Sequence, residues 1–109
     1  MKNLILIFLF LPLTAIAASE PSPSSKIKRI IAYAEYGGGD TQVVLETQGA
    51  TCVDGYFLKK TDANADAMLS MLFSAYHAKT PVIIDGHTEQ KWAGSSGYYC
   101  KVYSVRYGY

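Results

Sequence analysis

Few residues in this chain have the types and the spacing that catalysis requires. Asp85, His87 and Glu89 stand close together, and carboxylates beside an imidazole could bind a cation or transfer a proton. Their spacing matches no metal-binding motif, so we favour the alternative of a solvated polar turn. His77 lies at the polar edge of a predicted helix, and the sequence contains no GxSxG, HExxH or glycine-rich phosphate loop. We therefore predict a protein without catalytic residues, metal or cofactor.

Aromatic side chains are the better candidates for function. The chain has nine tyrosines and one tryptophan. Trp92 stands in a Gly/Ser-rich segment a few residues before Tyr98 and Tyr99, and Tyr36 is a second candidate beside the Gly37–Asp40 turn. An aromatic ring surrounded by hydrogen-bonding groups suits a sugar or a protein partner. The alternative is that Trp92 folds back and covers the end of the domain.

The N-terminus and the two cysteines indicate the compartment. Residues 1–18 combine an early lysine, a short apolar run and small residues at the end, as a secretion signal does. The run is shorter than the roughly 20 residues of a membrane-spanning helix. We therefore expect a secreted or periplasmic protein with no membrane span after cleavage. In an oxidising compartment Cys52 and Cys100 should form a disulfide, with two buried free thiols as the alternative.

Charge and length narrow the class of protein further. Ten basic residues balance nine acidic ones without forming a basic stripe, so nucleic acid is not an expected partner. No block of like charges indicates a polyanion or a membrane surface. After cleavage about 91 residues remain, which suits one domain. We assign that domain to residues 26–109 and treat the Ser/Pro-rich residues 19–25 as a flexible arm.

The hydrophobic pattern predicts five strands and one helix as the scaffold. The strands are expected at residues 26–36, 41–47, 51–58, 82–84 and 98–107. A hairpin turn is expected at Gly37–Asp40 and a loop at residues 87–97. The helix is expected at residues 62–79, with Thr61 or Asp62 as its N-cap and Pro81 just beyond its end.

The predicted helix has two contrasting faces. Its core stripe would consist of Ala65, Met68, Leu69, Leu72, Phe73 and Tyr76. A second face carries small uncharged side chains, namely Ala63, Ala67, Ser70, Ser74 and Ala78. Small side chains permit the close approach of another copy of the chain, which makes this face a candidate oligomer contact. The alternative is that alanine is simply a good helix former.

The element order β-β-β-α-β-β is that of an OB-fold, a five-stranded partly open barrel. In that fold the third and fifth strands close the barrel, which is compatible with a Cys52–Cys100 bridge. The alternative is an α+β sheet with one packed helix. Element order alone does not separate the two.

Residues 66–86, DAMLSMLFSAYHAKTPVIIDG, resemble the OB-fold B subunits of AB5 toxins, of the subtilase-cytotoxin and typhoid-toxin type. The resemblance lies in the apolar spacing of the helix and the turn into Pro81–Ile84. It implies a non-catalytic subunit that recognises a glycan or protein receptor, assembles into a pentameric ring and carries a toxin A subunit. Ser24 or Ser25, just before the first predicted strand, is similar to a sugar-contacting serine position of that family, and we take Ser25 as the candidate. The family has additional cysteines and different loops, so its other receptor residues do not transfer. The alternative is a small monomeric secreted or periplasmic inhibitor or binding protein.

Overall fold

A computed structural model describes residues 18–108. The predicted signal peptide, except for Ala18, lies outside these residues. The described part is mostly β with one helix. The elements are β1 (Ser19–Pro21), β2 (Ile27–Ala32), β3 (Asp40–Leu45), β4 (Gly55–Lys59), α1 (Ala65–Ala78), β5 (Ile83–Lys91) and β6 (Tyr99–Arg106).

All six strands belong to one sheet with the order β1-β5-β6-β4-β3-β2. β4 and β6 are parallel neighbours, and the other neighbouring pairs are antiparallel. The predicted third and fifth strands are therefore adjacent. The sheet has two edges, β1 and β2, so a closed five-stranded barrel is not confirmed. The coarser prediction, a mostly β domain with one helix, is confirmed.

Residues 19–25 are part of the sheet and not a free arm, which corrects the prediction. β1 pairs with β5, the Ser22 N–H donates to the Ile84 carbonyl at 2.8 Å, and Ser25 and Val82 exchange backbone hydrogen bonds at 2.9 and 3.0 Å. The sequence pattern missed this pairing because backbone groups make the pairing. They cover the edge of β5 whatever side chains they carry. Residues 19–32 thus contact β5 with their first part and β3 with their second.

The predicted disulfide is confirmed. Cys52 precedes β4, Cys100 lies in β6, and their Cα atoms are 5.4 Å apart. Both cysteines are buried in the core between the sheet and α1. The largest fully buried side chains are Tyr56, Leu45, Leu58, Leu72, Ile84, Val43 and Val82.

The helix is shorter than predicted, and fewer of its residues are buried in the core than predicted. Ala65, Met68, Leu72 and Ala75 are buried, whereas Phe73 and Tyr76, predicted as core, are 42% and 43% exposed. Each exposed ring follows a buried residue by one position, about 100° around the helix.

The N-cap of α1 is Asn64, and not Thr61 or Asp62. The Asp62 carboxylate instead accepts a hydrogen bond from the Lys59 N–H at 2.9 Å.

All five residues of the second face, which carries small uncharged side chains, are exposed. Among residues 18–108, α1 is too short to cross a membrane.

Two strand predictions also change. β5 continues to Lys91, so residues 87–91 of the predicted loop are strand. Along β6, Val105 joins Cys100 and Val102 in the core, although strict alternation placed it on the opposite face. The pairing shifts by one residue between Asp85 and Gly86, which face Ser104 and Val102. This bulge lies at Tyr103 and reverses the inward-facing side of the strand.

Candidate functional site

Trp92 is the first residue after β5, and its side chain turns inward. It is 4% exposed, which favours the alternative that Trp92 folds back into the domain, and a role of Trp92 in binding stays a prediction. The backbone at this point continues to pair with β6, because the Trp92 N–H donates to the Tyr99 carbonyl at 2.9 Å. That bond fixes the direction in which the indole enters the fold.

The indole packs among four other aromatic rings. Phe57 of β4 stacks on it with ring centroids 5.8 Å apart. Tyr36 and Tyr99 meet it edge-on at 5.7 and 5.5 Å, and Tyr33 lies at 6.1 Å. Such contacts add roughly 0.5–1.5 kcal/mol per pair beyond area burial. Through this cluster the β2–β3 connection, β4 and the β5–β6 connection pack against one another.

Asp40, the first residue of β3, is the hydrogen-bond partner of the indole. The Trp92 Nε1–H donates to Asp40 Oδ2 at 2.8 Å. Asp40 is 1% exposed, and its second oxygen, Oδ1, has no hydrogen-bond partner among the described residues. The ammonium group of Lys59 lies 3.9 Å from Oδ1, which is an ion-pair distance but too long for a hydrogen bond. A buried carboxylate oxygen therefore retains acceptor capacity.

These groups border a cleft of about 280 Å³, which we call the Trp92 cleft. Its lining residues are Tyr36, Gly37, Asp40, Phe57, Lys59, Lys91, Trp92, Ala93 and Gly94. Tyr36 is the exposed aromatic of this set, at 48%, and its hydroxyl donates to the Gly94 carbonyl at 2.6 Å. The cleft thus combines an aromatic wall, the Asp40 carboxylate and the ammonium group of Lys59 beside it.

Two glycines allow the cleft to form. Gly37 has φ +63°, and a Cβ there would collide with the Asp40 carboxylate. A Cβ at Gly94 would collide with the rings of Tyr36 and Trp92. The glycine run that predicted a hairpin turn therefore also brings the backbone close to a buried acid.

The structure brings together three of the five candidate binding residues. Tyr36 and Trp92 line the cleft, and Tyr99 supports Trp92 from the side. Tyr98 lies apart, with its hydroxyl donating to the Thr88 carbonyl and the Lys91 ammonium 5.7 Å from its ring centre. Ser25 is buried in the pairing with β5, and its Oγ accepts from the Thr47 N–H at 2.9 Å. Neither Tyr98 nor Ser25 lines the cleft.

Sequence reasoning missed Asp40, Phe57 and Lys59 as site residues. Asp40 ends a Gly-Gly-Gly-Asp run, which is typical of a solvated turn. Phe57 and Lys59 lie on β4, where alternation indicates core and surface but no site. The one available signal was the closeness of Tyr36 to Asp40 in the sequence.

Of the two acidic residues near His87, Asp85 is used elsewhere in the fold and Glu89 is exposed. Asp85 accepts hydrogen bonds from Arg106 Nε and Nη2 at 2.9 and 3.0 Å, and the Arg106 guanidinium lowers the pKa of this carboxyl. His87 packs edge-on against Tyr103 with ring centroids 4.9 Å apart. Within residues 18–108, no three His, Cys, Asp or Glu side chains are grouped as metal ligands.

Comparison of the chain with protein families, curated proteins and solved structures finds no match. The geometry of the Trp92 cleft is therefore the basis for a functional assignment.

Proposed function

We propose that this protein is an exported, non-catalytic binding module that holds one sugar unit of a glycan in the Trp92 cleft. The observation that carries the proposal is Asp40, which is buried at the floor of the cleft and keeps Oδ1 free of hydrogen bonds. A buried acceptor without a partner costs about 1–3 kcal/mol. Because Oδ1 is itself buried, a sugar hydroxyl would supply the missing donor once the lining of the cleft adjusts to admit it.

The other lining groups suit the same ligand. Tyr36 offers an exposed ring against which the C–H face of a sugar can pack. Lys59 offers N–H donors to hydroxyl oxygens. The volume of about 280 Å³ is near the lower end of the range for ligand pockets, about 300–1,000 Å³. The cleft therefore has room for a single sugar ring, and the rest of a glycan would lie outside it.

The lining favours recognition over hydrolysis. Among the described residues that border the cleft, Asp40 is the only carboxylate. Glycoside hydrolysis in most families uses a pair of carboxylates on opposite sides of the scissile bond. A single acid that already accepts a hydrogen bond from Trp92 is suited to hold a hydroxyl group in place.

Export is part of the proposal and rests on two features. Residues 1–18 have the pattern of a secretion signal, and the Cys52–Cys100 disulfide is compatible with a periplasmic or extracellular location.

The proposal can be tested with the fluorescence of Trp92, the only tryptophan of the chain. The purified, oxidised protein would be titrated with a panel of neutral monosaccharides. Tyr36→Ala should weaken the best ligand about fivefold or more, since an aromatic contact contributes roughly 1 kcal/mol. Tyr103→Ala is the matched control, because Tyr103 is also exposed, at 59%, but does not border the cleft. Equal affinities for both variants and the wild type would exclude the cleft as the sugar site.

We further propose that copies of the chain assemble through α1 into a ring, as the resemblance to toxin B subunits implies, with an A subunit as its partner. The exposure of Ala67, Ser70 and Ser74 supports this, because the face is available for close approach. Light scattering of the oxidised protein is the test. A mass near five times the monomer supports the ring. A monomer favours the alternative, a small secreted inhibitor or binding protein, and leaves the cleft proposal unchanged.

A further inference from the structure

A second cleft lies between the start of β2 and the C-terminal end of α1. Its volume is about 560 Å³, twice that of the Trp92 cleft. The lining residues are Lys26, Ile27, Lys28, Glu46, Tyr76, His77 and Lys79, and we call it the lysine cleft. None of them borders the Trp92 cleft. It is therefore a separate surface, unused by the function proposed above.

The lysine cleft concentrates positive charge in a nearly neutral protein. Lys26, Lys28 and Lys79 contribute three ammonium groups, whereas Glu46 is the single carboxylate of the lining. The formal net charge of the whole chain is +1. None of the three lysines forms an ion pair with a residue in the described part of the chain. Three lysines against one glutamate leave the lining with a formal charge of +2, which favours an anion.

Two irregularities of the backbone lie at these lysines. The pairing of β2 with β3 shifts between Ile27 and Arg29, which places a bulge at Lys28. Bulges redirect a side chain relative to regular alternation. Lys79 has φ +55° at the C-cap of α1, a left-handed conformation that glycine adopts at far lower cost. Both departures from regular geometry occur at lysines that line the same cleft.

The remaining lining groups add hydrogen-bond donors and an apolar wall. Tyr76 is 43% exposed, although it lies on the helix next to the core stripe, and it borders the cleft. His77 follows it with its ring edge-on to Tyr76 at 5.7 Å. Lysine acts as a point charge toward phosphate and sulfate groups, while hydroxyl and imidazole groups can donate to further oxygens.

We propose that the lysine cleft is a second binding site, and that it takes a tetrahedral oxyanion, the sulfate or phosphate ester of a small ligand. The three ammonium groups hold the anion, and Tyr76 packs against the moiety that carries it. This site was not visible in the sequence, because Lys79 is more than fifty positions from Lys26 and Lys28 and no block of basic residues marks it. The assignment is independent of sugar binding at Trp92.

The test is a titration of the isotopically labelled, oxidised protein followed by backbone amide NMR. The probes are galactose 6-sulfate and glycerol 3-phosphate, which distinguish a sulfated glycan from a phosphorylated headgroup as the source of the anion. Acetate is the comparison anion. We expect saturable shifts at residues 26–28 and 76–79 with at least one ester, weakening as salt is added. Saturation with either ester supports the site and identifies the source.

Variants that each remove the charge of one lysine distinguish a specific anion site from general electrostatic attraction. Lys28→Gln and Lys79→Gln should each weaken binding about fivefold, since one charge at about 4 Å contributes roughly 1 kcal/mol in water. Lys60→Gln removes the same charge from an exposed lysine outside both clefts and should change the affinity less than twofold.

Equal effects of all three variants, acetate binding as tightly as the esters, or no shifts at residues 26–28 and 76–79 would each overturn the proposal. The readout does not involve Trp92 fluorescence. A failure here is therefore distinguishable from a failure of the sugar site.

Discussion

In the Trp92 cleft, replacement of Asp40 by asparagine should change the affinity for the ligand strongly and the free energy of unfolding only slightly. Asparagine has nearly the same size as aspartate, and its carbonyl oxygen can still accept from the Trp92 Nε1–H, now 2.8 Å from Asp40 Oδ2. The substitution replaces the free acceptor, Oδ1, with an NH₂ donor. At this position the side chain therefore donates a hydrogen bond instead of accepting one, and the shape of the cleft is unchanged.

The effect on stability should be small because opposing contributions nearly cancel. A charged acceptor becomes a neutral one, which costs about 1 kcal/mol, and the pairing with the half-exposed Lys59 contributes about 0–1 kcal/mol. In return the fold no longer buries an ionised carboxylate, which offsets these costs in part, while the asparagine NH₂ group is a buried donor without a partner just as Oδ1 was a buried acceptor without one. We expect the free energy of unfolding of Asp40→Asn to lie within about 1 kcal/mol of the wild type.

The effect on binding should be large by comparison. A hydrogen bond to a charged group contributes about 1.5–3 kcal/mol and a neutral one about 0.5–1.5 kcal/mol. The difference of about 1–2 kcal/mol corresponds to a roughly 5- to 30-fold weaker affinity. The NH₂ group of the asparagine would also face a hydroxyl hydrogen of a ligand bound in the wild-type pose.

The measurement combines urea unfolding with sugar titration, both followed by Trp92 fluorescence. Asp54→Asn is the control, since the Asp54 carboxylate accepts a hydrogen bond from the Tyr98 N–H at 2.6 Å and does not border the cleft. An Asp40→Asn variant that binds sugar within twofold of wild type would refute the role of Oδ1. A loss of more than about 3 kcal/mol in the free energy of unfolding with unchanged affinity would show that Asp40 serves the fold alone.

Three further predictions concern stability. Replacing Cys52 and Cys100 by serine should lower the free energy of unfolding by about 4 kcal/mol in urea, the chain-entropy value for a sequence separation of 48 residues; a loss below about 1 kcal/mol would contradict it. Arg106 lowers the pKa of Asp85, so this pair stabilises the fold above the unfolded-state pKa near 4, and the contribution is lost as pH falls through the lower folded-state value. Asp85→Asn should therefore flatten the acid side of the stability profile in thermal unfolding, and an unchanged profile would exclude the pair as its cause. Lys79→Gly should raise the free energy of unfolding by roughly 0.5–1 kcal/mol, because φ is +55° there; a lower Tm would show that the Lys79 side chain stabilises the fold more than its backbone strain costs.

Local features of the sequence predicted the scaffold well. The glycine run before Asp40 predicted the connection between β2 and β3, which are antiparallel neighbours. Pro81 and the apolar spacing predicted a helix that ends at residue 79, and the helix ends one residue earlier, at Ala78. The pairing of Cys52 with Cys100 followed from the compartment that the N-terminus indicates. Each of these predictions depends on backbone preferences or on a single possible partner.

The site could be predicted only in part, because its parts meet through long-range contacts. Polar neighbours suggested that Trp92 lies in a solvated loop. Its hydrogen-bond partner, Asp40, is 52 residues away in the sequence, and Phe57 approaches from another strand. Alternation shows which side of a strand is buried, but not which strands end at the same place. The arm at residues 19–25 was missed for a similar reason, since its partner is the edge of β5.

The departures from local rules are informative about where function lies. A sequence that folds well satisfies its buried polar groups and avoids left-handed backbone at non-glycine residues, and violations concentrate at functional or strained sites. Asp40 with its free Oδ1 borders the Trp92 cleft, while Lys79 with its left-handed backbone and Lys28 at its bulge border the lysine cleft. Asn64, also left-handed, lies at the opposite end of α1 and borders neither cleft, so strain alone does not mark a site. Asp40 and Lys79 carry more weight because each combines an unfavourable local arrangement with a charged side chain that borders a cleft. The Asp40→Asn and Lys79→Gly variants should each keep the free energy of unfolding within about 1 kcal/mol of the wild type while weakening the corresponding ligand.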